Sequence, residues 1–441
     1  MLPFDGVDID MNKVFAIFLF IGAVWAKHEI YDGHTLYEVR VENVDQAKLV
    51  NALESQIHVD VWSHALPGRP GEVLVAKEQK QTFQNVLDAA GIQYKVEVEN
   101  IKELLDLEDQ ILAKASMKSE NASSIALPYD DIHDYATVDA YLERLAAAYP
   151  DVVTLVNAGR SFEGRDIKYL KISTTNFEDQ SKPIVFMESL LHAREWVTLP
   201  ATLYAIEKLV IDVQEQDLLH DIDWIILPIA NPDGFEFTRE NRLWRKNRAT
   251  GYAIGDICMG VDLNRNFDVN WSEHSSNIVC TETFHGRGPF SEPETAIIND
   301  IFLENRHRMA LFLDIHSFGS MILYGYGTGS LPANGLILHL VGIQMATAID
   351  DVKMSWNPNY VVGNVAAVLY QASGSAGDYA QVSGVPLSYT YELPGHRFGL
   401  GTAAGFLVDP DFIEQAGFET WEGIKAGARY ARNNFRMRRD L

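Results

Sequence analysis

The sequence predicts an α/β fold: a mixed, largely parallel sheet with helices on both faces, preceded by a small α+β unit of ferredoxin-like order. Two observations carry this. From about residue 130 onward, continuous apolar runs such as "PIVFMES", "IDWIILPIA" and "RMALFLDIHS" alternate with helical patterns, as strands buried on both faces do. Residues 35 to 100 behave differently, with short alternating strands around two amphipathic helices in the order β-α-β-β-α-β.

The elements follow in order along the 441 residues. From Met11, "MNKVFAIFLFIGAVWA" has one lysine, an apolar run and short side chains at Val24 and Ala26, the layout of a secretory signal peptide cut near Ala26. The acidic "MLPFDGVDID" before it fits that layout badly, so Met11 is read as the true start and residues 1–26 as the signal. In the small unit, 27–100, "TLYEVRV" alternates as a strand and "VDQAKLVNALES" repeats as a helix. "IHVDVWS" and "GEVLVA" are strands, "KQTFQNVLDAAG" is a helix ended by Gly91, and "IQYKVEVEN" closes the unit. Residues 101–128 begin as a charged amphipathic stretch and run into small polar residues, giving a connecting helix and an exposed linker. Lys114 and Lys118 there would suit a trypsin-like protease, or are simply solvated. In 129–441, "VDAYLERLAAAYP" is a helix, "IKYLKIS" and "PIVFMES" are strands, and "LPATLYAIEKLV" is a helix. "IDWIILPIA", "RMALFLDIHS" and "PLSYTYEL" are further strands, and a last helix ends the chain.

The net charge of −25 repels phosphate backbones, which argues against nucleic-acid binding. No stretch after the signal gives about 18 uninterrupted apolar residues, so no membrane span is expected. The two cysteines, Cys258 and Cys280, suggest a disulfide in an exported chain, worth about 3 kcal/mol on a loop-entropy estimate, against the alternative of two free thiols. "NAS" at Asn121 and "NWS" at Asn270 are acceptor triplets for N-glycosylation.

His192 and Glu195, in "ESLLHAREW", stand three residues apart just past a strand, where open α/β sheets place their sites. Such a pair is weak evidence alone. His316, in "LFLDIHSFG", ends another apolar strand and is the candidate third ligand. Two histidines and one carboxylate leave a tetrahedral zinc one open position for water, whose pKa the ion would lower to about 7. Asp262, in "GVDLNRNF", is either a carboxylate orienting one of these histidines or a structural carboxylate in a polar turn.

The motifs "HAREW", "RLWRKNR", "DLNRNF", "DIHSF", "LYQASGSAGDY" and "YTYEL" occur in this order with matching intervals. Together they resemble the zinc metallocarboxypeptidases of the pancreatic carboxypeptidase A/B type, from about residue 35 to 435, prodomain included. The resemblance implies a secreted zymogen with one Zn2+ held by His192, Glu195 and His316. It makes Glu392 general base and then acid, and gives Arg245 the tetrahedral oxyanion. Asn264 and Arg265 would grip the substrate's terminal carboxylate, Tyr370 would close over the substrate, and Arg194 would contact it further out. Phe318 stands where many relatives carry tyrosine, removing a hydroxyl contact in an outer subsite. Gly377 occupies the specificity position, where an acidic residue goes with C-terminal Lys or Arg and a bulky apolar one with aromatic or aliphatic residues. Glycine there, with Val365, Leu369, Ala372 and Thr390 at other pocket positions, implies an A-like preference for large apolar C-terminal residues. Asp378 next door keeps a B-like or broad preference as the alternative. A non-catalytic holder of peptide C-termini would be expected to lack a ligand, the base or Arg245, and this chain lacks none. Peptide C-termini as substrate, a trypsin-like activating protease and a monomer complete the expectation.

Overall fold

The computed structural model describes residues 27–119, 125–398 and 402–439. Residues 1–26, read above as a signal peptide, and Asn121 lie outside them.

The small unit is the ferredoxin-like sandwich its sequence order predicts. Strands β1 (Thr35–Arg40), β2 (Asp60–Ser63), β3 (Gly71–Val75) and β4 (Gln93–Val98) form one sheet in the order β2-β3-β1-β4, every pairing antiparallel. Helix α1 (Val44–Ile57) starts where the Asn43 side chain accepts from Gln46 N, and α2 (Lys80–Ala89) stops at a left-handed Gly91. Alternate strand residues Tyr37, Val39, Val73 and Val75 pack onto Val50, Leu53, Phe83 and Leu87 of the two helices. The connecting helix, α3 (Ile101–Ser119), covers part of the linker region, and exposed Lys114 lies within it.

The larger unit is built on an eight-stranded sheet in the order β11-β10-β12-β9-β7-β8-β6-β5. Its strands are β5 (Val153–Arg160), β6 (Asp166–Ile172), β7 (Ile184–Ser189), β8 (Asp223–Leu227), β9 (Met309–Ser317), β10 (Met321–Tyr324), β11 (Val361–Asn364) and β12 (Leu387–Leu393). Four of the seven pairings are parallel, so the sheet is mixed as expected. Strands β7, β8 and β9 are buried along their whole length, which is why they read as unbroken apolar runs. On one face pack α4 (Tyr135–Ala148), α5 (Thr198–Val210), α7 (Gly335–Asp350) and α9 (Pro410–Arg439); on the other, α6 (Pro293–Asn305) and α8 (Ala376–Val382). Strands β5, β10 and β11, which the sequence did not reveal, extend the sheet at its two sides.

The two units share an apolar seam. Tyr31, Leu36, Trp62, Leu74, Val98, Ile101 and Leu105 pack against Leu243, Phe406 and Leu407. Within it Arg242 donates to both carboxylate oxygens of Glu108 on α3, at 2.7 and 3.1 Å, with both side chains fully buried. Glu108 also accepts from Val408 N at 2.8 Å. Cys258 and Cys280 are disulfide-bonded, as their count suggested.

Candidate active site

The centre lies where β7, β9 and β12 end. After β7 the chain turns sharply through Leu190, whose φ of 54° is uncommon for a non-glycine residue and typical of functional turns. That turn delivers His192 and Glu195 ahead of α5. His316 closes β9, and parallel pairing puts Glu392 of β12 beside it in register.

Glu195 sits between the two imidazoles: its Oε1 is 2.8 Å from His192 Nδ1 and its Oε2 is 2.8 Å from His316 Nδ1. One donor atom from each of the three residues lies within 4.8 Å of the others, and all three residues are buried. The far nitrogens also meet carboxylates. His192 Nε2 is 3.0 Å from Asp262 Oδ1, and His316 Nε2 is 2.8 Å from Asp314 Oδ1. The second of these is an ion-pair contact with the N–H not aimed along it, since Asp314 Oδ1 counts no directed hydrogen bond. Against their burial, Arg245 and His192 hold Asp262 well below the usual carboxylate range, and His192 and His316 do the same for Glu195. Two imidazole nitrogens and an ionised carboxylate converging on one point, with Asp262 bonded to the far nitrogen of His192 and Asp314 beside that of His316, fit a zinc ion. Asp262 thus touches the ring of His192 while also accepting from Asn264 N in its own polar turn. The sequence reading missed Asp314, although its place two residues before His316 on a strand puts both on one face.

Around this centre stand the expected partners. Glu392 lines the same cleft, and enclosure pushes its carboxyl up to about 8 against the pull of His316 and Arg245, with Glu195 adding to the rise. Arg245 donates to Asp262 Oδ2 from Nη2 at 2.9 Å and lies 3.9 Å from Glu195. Asp262 also caps the short turn Leu263–Arg265 through Asn264 N, which aims Asn264 and Arg265 into the cleft. Arg265 donates to its neighbour's carbonyl and, from Nη2 at 2.6 Å, to the Tyr370 hydroxyl; its Nε is buried without a partner. Gly374 (φ 71°) passes so near that a Cβ there would sit 2.4 Å from the Arg265 carbonyl oxygen, so only glycine lets the pocket loop close onto this arginine.

The side pocket is lined by Leu323, Val365, Leu369, Ala372, Gly377 and Thr390. A Cβ on Gly377 would meet Thr390 Oγ1 at 3.0 Å. Asp378 borders this pocket, and its Oδ2 accepts from Gly327 N at 2.7 Å, while burial pushes the group up to about 6.

The small unit lies across the mouth of the cleft. Asp60 Oδ2 accepts from Arg194 Nη1 at 2.6 Å, so the outer arginine is bonded within the chain. Trp62 packs edge-on against Phe406 and Phe318, at ring-centroid distances of 5.2 and 6.4 Å, and Val61, Ser63 and His64 also line the cleft. His192, Glu195, Arg245, Asn264, Arg265, His316, Tyr370, Gly377 and Glu392 therefore line one cleft, with Asp262 buried beside His192 and Arg194 buried and bonded to Asp60.

Comparison with known proteins gives matching results. The zinc carboxypeptidase family profile matches residues 138–423, and the carboxypeptidase activation peptide profile matches residues 37–108. A carboxypeptidase B of Helicoverpa zea is 46% identical over 96% of this chain and 100% of its own length. Carboxypeptidase A1 of Bos taurus is 29% identical over the same shares. The crystal structure of the carboxypeptidase A from Helicoverpa armigera superposes with a TM-score of 0.90 at 64% identity, covering 92% of this chain and 98% of that one.

Proposed function

Because this chain belongs to the zinc carboxypeptidase family and carries the family's activation peptide, we propose that it is a secreted zymogen which, once cut at Lys114 or Lys118 in the last turns of α3, removes single large apolar or aromatic residues from peptide C-termini. The observation that carries this is the convergence of His192, Glu195 and His316 beside Glu392 and an arginine with an unpartnered buried N–H. The domain limits in this proposal are a prodomain over 27–100, a connecting helix and activation linker over 101–128, and a catalytic domain over 129–441.

His192, Glu195 and His316 would hold the zinc, which when bound acidifies a water and polarises the scissile carbonyl. Arg265 and Asn264 bind the terminal carboxylate. A planar fork with a free Nε suits a group found only at a chain end, and this makes the enzyme an exopeptidase. Arg245 stands ready with a fixed positive charge where negative charge builds on the carbonyl oxygen. In its ionised form, which the positive charge of Arg245 and of a bound cation would favour, the Glu392 carboxylate takes the proton of the attacking water and passes it to the leaving amine. Tyr370 closes over the bound substrate and keeps bulk water out. Asp262 holds His192 in the tautomer that presents Nδ1 and keeps Arg245 aimed.

The pocket supports the apolar preference. Its lining is mostly apolar, and the bordering carboxylate of Asp378 already accepts from Gly327 N, so a buried substrate cation would be poorly compensated. Matched peptides ending in Phe, Leu, Lys, Arg and Glu test this directly, and faster release of Arg would overturn it. The reaction is tested with blocked dipeptides after trypsin treatment, with and without a chelator. Activity should vanish with the chelator, and Glu392→Gln should lower kcat by about 10²–10⁴-fold while zinc content stays at the wild-type level.

A further inference from the structure

The prodomain makes one contact inside the cleft that covering its outer part does not require. His64, next after β2, lies against the face of Tyr370, with ring centroids 3.9 Å apart and planes inclined by 35°. The hydroxyl of the same Tyr370 ring accepts from Arg265 Nη2 at 2.6 Å. His64 is itself held, since its Nδ1 lies 2.8 Å from Asn51 Oδ1 on α1. Enclosure pushes the imidazole down to about 3, with Arg265, Arg245 and Arg69 adding to the fall. The ring is therefore neutral and sits among three guanidinium groups without repulsion.

Resting on the reading that Arg265 grips the substrate's terminal carboxylate, we propose that His64 is a pin that holds Tyr370 onto Arg265, so that the uncut chain fills its own carboxylate subsite with a tyrosine hydroxyl. Autoinhibition then has two separable layers. Asp60 on Arg194 and Trp62 against the Phe318–Phe406 pair block the outer cleft, which only a long peptide needs. The pinned tyrosine blocks the inner subsite, which every substrate with a free C-terminus needs. To admit a carboxylate the hydroxyl must leave Arg265, and the ring cannot swing out while an imidazole lies on its face.

The test uses the uncut full-length chain and two substrates, a blocked dipeptide ending in phenylalanine and a decapeptide with the same end. Wild type should be silent on both. His64→Ala should raise dipeptide hydrolysis by about tenfold or more, on the scale of a lost aromatic pair, and leave the decapeptide uncut. His64→Phe keeps a flat ring and should stay near wild type, while Asn51→Ala should move partway toward His64→Ala. All variants should reach one common rate once the prodomain is removed, which also shows that they folded. Uncut His64→Ala as silent as wild type on the dipeptide would overturn the pin, as would uncut wild type working at the activated rate. If activated wild type cleaves neither substrate, it is the carboxypeptidase reading that fails.

Discussion

Arg265 and Arg245 share one cleft but meet different demands. Arg245 already pairs with Asp262, so its charge is fixed in place, whereas Arg265 keeps an unpartnered Nε. Arg265→Ala should therefore cost kcat/KM on free-carboxylate peptides about 30-fold or more, the scale for losing one partner of a buried charged pair. It should hardly change the slow rate on C-terminally amidated peptides, and the ratio of the two rates measures the effect. At Gly377 the φ is unremarkable and the obstacle is the Thr390 hydroxyl at 3.0 Å, which must yield by only a few tenths of an ångström. Gly377→Asp should then shift the preference toward C-terminal Arg over Phe by at least about tenfold, read from paired kcat/KM values. At this scale the sequence was informative where motif residues have fixed neighbours: His192, Glu195, His316 and Glu392 all lie where their flanking strands imply. It was silent on Asp314, because a carboxylate inside an apolar strand announces a partner without naming it.

Elements were legible in proportion to how completely they are buried. Strands β7, β8 and β9 stand inside the sheet and carry unbroken apolar runs, while β10 and β11 are four residues each and β5 lies at an edge with an irregular burial pattern. Short or half-exposed strands leave little periodicity to read. The last helix, α9, was found from its pattern, but its docking was not. Arg429 donates to Asp217 at 2.9 and 3.0 Å and also bonds Glu215, and Arg432 reaches Asp217 at 2.6 Å. The Arg429 hydrogen bonds, with Arg432 adding, pull the Asp217 carboxyl down to about 2. A depressed carboxyl stabilises the fold above its unfolded value of about 4, and this contribution fades as pH falls toward 2. Asp217→Asn should flatten that part of the acid limb, so that between pH 5 and pH 2.5 its melting temperature falls less than that of wild type.

Over the whole molecule, the relation between the two units rests on contacts far apart in sequence, and nothing local advertises them. Glu108 and Arg242 are separated by 134 positions and meet in full burial. Removing one partner of a buried pair costs about 3–5 kcal/mol. Glu108→Ala should loosen the prodomain after the linker is cut, raising its dissociation constant by two orders of magnitude or more, measured by the return of activity on a peptide substrate. The domain order, by contrast, was plain from the change of pattern near residue 130, since a sandwich of short alternating strands and a sheet of buried ones are written differently.

The apolar seam and the Glu108–Arg242 pair belong to a cover that is attached covalently, among the described residues, by the backbone crossing that begins in the last turns of α3. Severing that crossing leaves every side-chain contact intact and turns a tethered lid into a ligand that must diffuse away. The onset of peptide cleavage should consequently depend on how far the sample is diluted, with concentrated enzyme restraining itself and dispersed enzyme set free, although the same bond has been broken in both.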